Sequence, residues 1–239
     1  MMEDSMSADA VLVVVAHPDD EVLGCGGAMA AWAAAGRPVH VLILADGVTS
    51  RDGGAAHDAD GVHRRGEAAR EAGRLLGVAS VRLLGLPDNR LDAMALLDVA
   101  KHVEDAVRAH VPATIVTHHG GDLNVDHRAA SEAVAIAARP QPGSGVREVL
   151  FFETPSSTEW RLGAAAAAFQ PNWFIDISGH LDAKLQALRT YAEELRPFPH
   201  PRSEEAVTAL AQWRGASCGV PAAEAFVLGR HLALPWRAR

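Results

Sequence analysis

Apolar residues fall along this chain in short unbroken runs, separated by stretches with helical spacing. VLVVV at 11–15 is a β-branched run without polar interruption, the pattern of a strand buried on both faces. VHVLILA (39–45), SVRLLGL (80–86) and ATIVTHH (113–119) read as further strands, and VREVLFFET (146–154) and NWFIDIS (172–178) follow. Helical patterning predicts helices over about 22–35, 62–76, 92–109 and 126–138, then over 180–195 and 203–214. Gly24, Gly26 and Gly27 are costly inside a helix, so the first helix is expected to begin there, with close backbone packing. Gly36-Arg37-Pro38 ends it, Pro87-Asp88-Asn89 closes the third strand, and Pro112 stops the helix before the fourth. Strands alternating with helices predict an α/β fold, a mostly parallel sheet with helices on both faces.

Length and composition narrow the class. With 239 residues, 49% hydrophobic and 22% charged, the chain suits one well-packed α/β domain or at most two small ones. A formal charge of −8 gives no general attraction to nucleic acid or to anionic membranes. No apolar run approaches the roughly 18–20 residues of a membrane span. The opening residues lack the basic and apolar regions of a signal peptide, so a cytoplasmic protein is expected, with 1–10 as a flexible extension. Two cysteines, Cys25 and Cys218, cannot build a disulfide framework or a cysteine-rich zinc module. Twelve histidines direct attention to metal binding.

In parallel α/β sheets, ligands collect beyond the carboxyl ends of the strands. That places a site among the loops 16–21, 46–61, 87–90 and 118–128. Directly after the first strand stands Ala16-His17-Pro18-Asp19-Asp20-Glu21, an imidazole and hard carboxylates suited to a divalent metal. At a strand-to-helix junction, His17 and Asp20 can turn to one side while Asp19 points elsewhere. A histidine from the second loop, Thr117-His118-His119-Gly120-Gly121-Asp122-Leu123-Asn124-Val125-Asp126-His127-Arg128, would complete two histidines and one carboxylate. Three protein ligands leave a coordination position open, the arrangement of catalytic metal sites. Singly, these residues read as turn formers and helix caps; together, at one end of one sheet, they favour the metal.

The chain resembles the LmbE-like (PIG-L) family of zinc-dependent N-acetylglucosaminyl deacetylases. AHPDDE, VHVLILADG, HRRGEAAREAGRLLGV, LPDNRLD, HHGGDLNVDHR and the late FIDIS…K…L stretch carry the likeness, which covers most of the chain. The resemblance implies a Rossmann-like fold in a single domain. It implies Zn²⁺ on His17, Asp20 and His127, with Asp19 as general base. The implied reaction removes the N-acetyl group from a small aminosugar-containing metabolite, releasing acetate and a free amine. Fe²⁺ or Co²⁺ also suits these ligand types. One departure stands out: many members carry histidine three residues before the last zinc ligand, where this chain has Asn124. Asparagine can donate a hydrogen bond but carries no charge, so Asn124, His118 and His119 are all candidate oxyanion donors.

Other residues have two readings each. Asp126, next to His127, is either an outer partner of a ligand histidine or a helix cap. Arg64 and, more weakly, Arg51 are substrate contacts or solvated surface arginines. Asp88 is a sugar-hydroxyl partner or a turn residue. Trp160 and Trp173 stack on a sugar or belong to the core, Cys25 packs as a small side chain, and the loop around His200 edges the pocket or a subunit contact. The apolar C-terminal AEAFVLGRHLALPW would serve a homo-oligomer interface. On the same fold the family also admits a metal-dependent hydratase or a thiol-conjugate amidase. A non-catalytic sugar- or nucleotide-binding module would not need Asp19, and a non-haem Fe(II) oxygenase shares the ligand set.

Overall fold

The computed structural model describes residues 9–48, 59–163 and 167–233. In chain order the elements are β1 (Val11–Val15), α1 (Asp20–Ala34), β2 (Val39–Ala45), α2 (Ala59–Leu75), β3 (Ser80–Leu86), α3 (Leu96–His110), β4 (Thr114–His118), α4 (Val125–Ala137), β5 (Glu148–Phe152), β6 (Trp173–Asp176), α5 (Leu181–Arg189), α6 (Glu204–Ala216) and β7 (Ala223–His231). The strands form one seven-stranded sheet in the order β3-β2-β1-β4-β5-β7-β6. β1 through β5 pair in parallel, and β7 runs antiparallel between β5 and β6.

The unbroken apolar runs are explained by two cores. Val11, Val13 and Val15 pack with α1, α2, α5 and α6 on one face, while Leu12 and Val14 pack with α3 and α4 on the other. A strand covered on both sides has no polar face, and each such fully buried side chain contributes roughly 1.5–3 kcal/mol. Among the described residues, no helix is long and apolar enough to cross a membrane.

Several elements differ from the sequence reading, among them α5, which ends at Arg189 and not at 195. The C-terminal apolar stretch is largely β7, an internal strand of the sheet that buries Ala225 and Phe226; its residues 234–236 lie outside the described residues. The segment expected as one helix over 92–109 is a single 3₁₀ turn, Leu91–Ala93, followed by α3. The first helix begins at Asp20, before the glycines, and is broken at Cys25 (φ −148°, ψ 25°). The close packing expected there is present: a Cβ on Gly24 would lie 2.2 Å from the Phe152 ring, and one on Gly27 2.7 Å from Ile177. At the break, Gly27 and Ala28 N–H donate to the Glu224 carboxylate at 3.0 and 2.7 Å. Lys184 neutralises that buried carboxylate, donating from Nζ to Glu224 at 2.5 Å and to the Leu23 carbonyl at 2.9 Å.

Strand β1 has β2 on one side and β4 on the other. The order reverses between β1 and β4, so the crossover connections diverge and open a crevice beyond their carboxyl ends. The two chemistry-bearing loops start at that crevice.

Candidate active site

β1 leads into α1 through Ala16-His17-Pro18-Asp19. Asp19 caps the helix in the left-handed region (φ 116°, ψ −29°), a conformation that costs a non-glycine residue about 1–3 kcal/mol. Neighbouring bonds hold it there. The Asp19 N–H donates to Glu21 Oε2 at 3.1 Å, and Glu21 Oε1 accepts from the buried Tyr191 hydroxyl at 2.5 Å. The His17 N–H donates to Asp20 Oδ2 at 2.9 Å. This tight turn sends Asp20 towards β4 and Asp19 towards the cleft.

His17, Asp20 and His127 each offer a ligand atom within 4.8 Å of the others. His17 Nδ1 and His127 Nε2 both lie 3.2 Å from Asp20 Oδ2. On its far side, His17 Nε2 sits 3.0 Å from Asp88 Oδ1 and 3.1 Å from Asp126 Oδ2. With Nε2–H directed at those carboxylates, the Nδ1 lone pair is left facing Asp20. Asp20 Oδ1 and both ring nitrogens of His127 are buried without an aligned hydrogen-bond partner. Buried polar atoms are normally satisfied, so His127 Nε2, left without an aligned partner beside Asp20 and His17, fits a cation, while His127 Nδ1 faces Asp122 on the far side of the ring. The electrostatics agree. Burial works against a charged His127, yet Asp20 and Asp122 raise its pKa to about 9. Burial likewise opposes charge on His17, but Asp126, Asp20 and Asp88 raise its pKa well above the ordinary value. The carboxylates thus create a strong demand for positive charge, and the donor set suits a divalent metal of borderline softness.

The remaining predicted residues divide. Asp126 accepts from Asn89 N–H at 2.7 Å and Leu91 N–H at 2.9 Å, so it braces the loop after β3 and His17, not His127. The carboxylate behind His127 is Asp122, 3.0 Å from Nδ1. Asp122 accepts from the Ser157 hydroxyl, from Thr158 Oγ1 at 2.6 Å and from Asn124 N–H at 2.8 Å. Asn124 caps α4 through Oδ1, which accepts from Asp126 N–H at 2.8 Å, and its Nδ2 donates to Asn89 Oδ1 at 3.0 Å. His118 is locked away from the cleft: its Nε2 accepts from Ala16 N–H at 3.0 Å and its ring stacks on His127 at 3.9 Å. Burial lowers its pKa to about 3 and keeps it neutral. His119 is turned to the Ala167 carbonyl at 2.9 Å.

Arg64 extends outward and pairs with Glu193 on the surface; the neighbouring Arg65 is the buried arginine facing the site. Arg51 lies outside the described residues. Trp173 is half-buried in the sheet, whereas Trp160 is exposed and meets His200 edge-on. Cys25 is buried as a small packed group. A cleft of about 100 Å³ opens beside the ligand set, lined by His17, Asp19, Arg65, Asp88, Asn124 and Arg202 with Gly47, Asn89 and Glu194. Inside it, burial raises the Asp19 pKa to about 6, with Arg202 opposing.

Residues 12–138 match the family model described as PIG-L, GlcNAc-PI de-N-acetylase. The chain belongs to the PIG-L family. Its PIG-L relatives include the uncharacterized deacetylase YaiS of Escherichia coli K12, 28% identical over 80% of this chain and 95% of that protein. A 1D-myo-inositol 2-acetamido-2-deoxy-alpha-D-glucopyranoside deacetylase of Saccharopolyspora erythraea is 31% identical over 91% of this chain and 88% of its own length. Among solved structures, the conserved protein TT1542 of Thermus thermophilus superposes with a TM-score of 0.72 at 27% identity, covering 96% of this chain and 99% of that one.

Sequence reasoning missed Asp122, Arg65, Glu194 and Arg202. For Arg65 a signal existed: Ala69, Ala72 and Gly73 define the buried stripe of α2, and stepping back four residues from Ala69 reaches Arg65, not Arg64. Asp122 carries a testable consequence. Asp122→Asn leaves one acceptor oxygen for four donors and weakens the hold on His127. Metal affinity, measured by competition with a chromogenic chelator, is expected to fall about 10–100-fold. Unchanged affinity would show that His127 needs no such partner.

Proposed function

We propose that this protein is a metal-dependent N-deacetylase, cleaving the acetamido group of a small aminosugar-containing metabolite to give acetate and a free amine. The observation that carries this reading is a buried carboxylate, Asp19, lining a polar cleft next to two histidines and an aspartate that each bring a ligand atom within 4.8 Å of the others. His17 through Nδ1, Asp20 and His127 would hold Zn²⁺, with Fe²⁺ or Co²⁺ able to replace it. Bound there, the metal supplies Lewis-acid polarisation of water and of the acyl oxygen.

Asp19 takes a proton from the attacking water as its oxygen bonds to the acyl carbon. It then delivers that proton to the nitrogen as the C–N bond breaks, so the amine departs neutral. A carboxyl whose pKa is raised to about 6 is suited to both transfers near neutrality. With Oδ1 committed to its cap, Asn124 presents Nδ2 to the cleft. One hydrogen goes to Asn89, and the second is available to the acyl oxygen. Asp88 and Arg65 line the wall where sugar hydroxyls would sit, whereas Arg64 pairs with Glu193 and is not among the lining residues.

The test is acetate release from a panel of N-acetylglucosamine derivatives, including the inositol glycoside. Acetate and free amine are expected in equal amounts, with loss of both under a chelator and recovery on adding Zn²⁺. No acetate from any member, together with hydration of an unsaturated dicarboxylate, would overturn the assignment in favour of a hydratase.

A further inference from the structure

Among the described residues, the Asp19 carboxylate is held through one oxygen. Arg202 Nη1 donates to Oδ2 at 2.8 Å, while Oδ1 has no hydrogen-bond partner among the described residues. Arg202 comes from the loop between α5 and α6, far along the chain and outside the stretch matched by the family model. The same guanidinium donates from Nε to Ser156 Oγ at 2.7 Å, and its Nη1 lies 3.6 Å from Glu194 Oε2. Glu194 pairs through Oε1 with Arg65 Nη2. Arg65 closes the circuit, donating from Nη1 to the Pro18 carbonyl at 3.3 Å, the peptide that precedes Asp19. Four charges therefore alternate in sign: Arg65, Glu194, Arg202, Asp19. Asp19, Glu194 and Arg65 are 2%, 5% and 6% exposed, so solvent screens this chain weakly.

A group that moves a proton from one atom to another needs a fixed position and a free oxygen. The terminal torsion of an aspartate is soft, so a lone carboxylate in a cleft would swing. A guanidinium is a rigid planar fork, and one of its branches is already fixed by Ser156. Glu194 sets the other coordinate, because it sits between two arginines that would otherwise repel.

We propose that Arg202 and Glu194 are positioning residues for proton transfer, clamping Asp19 Oδ2 so that Oδ1 alone faces the substrate. This inference rests on the reading of Asp19 as the base. It differs from a substrate-binding role for Arg202, in which the guanidinium would leave Asp19 for an anionic group of the substrate.

Arg202→Met, Arg202→Lys, Glu194→Gln, Asp19→Asn and the double variant Asp19→Asn/Arg202→Met, all metal-loaded, are compared in acetate release. Arg202→Met is expected to lower kcat by about 100-fold, the scale of a 1 Å misplacement, with KM and metal content within twofold of the parent. Arg202→Lys should recover part of kcat, since an ammonium can reach Oδ2 but cannot also hold Ser156. In the Asp19→Asn background, Arg202→Met should change the residual rate less than twofold, because its effect passes through Asp19. If Arg202→Met does not fold, Glu194→Gln supplies the reading, with kcat falling and KM unchanged. A raised KM at unchanged kcat, or multiplying losses in the double variant, would overturn the proposal. Full activity of Asp19→Asn would instead remove the base assignment itself, whatever Arg202 does.

Discussion

His127→Ala is expected to leave the purified protein without stoichiometric metal and without acetate release. His127 supplies one of three converging donors, and its Nε2 shares Asp20 Oδ2 with His17. Two remaining ligands form a poor chelate, so the affinity loss should exceed the 10–100-fold typical of an outer-shell change. The ring stacks on His118, so its removal also opens a hole and lowers the thermal midpoint. Asp20→Asn separates the two effects, because it keeps the volume and removes the charged ligand. Both variants are expected to contain far less than one metal per chain after dialysis, by elemental analysis. The metal-free parent should gain about 2.7 kcal/mol of stability with Zn²⁺ at a hundred times its dissociation constant, and neither variant should respond. Retention of a full equivalent of metal by both would place the metal elsewhere.

Which parts of this molecule could be read from its residues follows from how locally each is specified. β1, β2 and β3 fall on the residues expected, because strands buried on both faces announce themselves without reference to anything distant. β7 escaped because it does not follow the alternation of strand and helix. It enters the sheet out of chain order, and it carries Glu224, a buried charge that makes sense only beside Lys184 and the broken α1. The site divides in the same way. His17, Asp19 and Asp20 are adjacent in one turn, and the loop holding His127 follows the neighbouring strand at the point where strand order reverses. Partners drawn from elsewhere were hidden. Arg202 meets Asp19 across 183 positions, and Ser157 and Thr158 meet Asp122 across 35 and 36. Such pairings depend on packing that no periodicity encodes. Asp126 was read as a partner of a ligand histidine or as a helix cap; it lies against His17 and the turn at Asn89, while the cap of α4 is Asn124.

Asp19→Asn should separate metal binding from turnover. Asparagine has nearly the shape of aspartate and is among the few residues that accept the left-handed backbone found here at φ 116°, so the turn should survive. Asp19→Ala would lose that tolerance and confuse a backbone effect with a chemical one. His17, Asp20 and His127 are untouched by the exchange, so metal content should remain that of the parent. The amide has no basic oxygen to take the water's proton and no acidic proton to return to nitrogen, and both transfers fail together. Loss of a general acid–base of this kind lowers kcat by about 10²–10⁴-fold. Arg202 would then face a neutral amide, but its side chain is 22% exposed and keeps Ser156, so water can compensate part of the lost pairing and the fold should hold. The decisive measurement is kcat for acetate release beside metal per chain on the same preparation. A variant with parental metal and parental kcat would exclude Asp19 as the base and leave the proton to another group in the cleft.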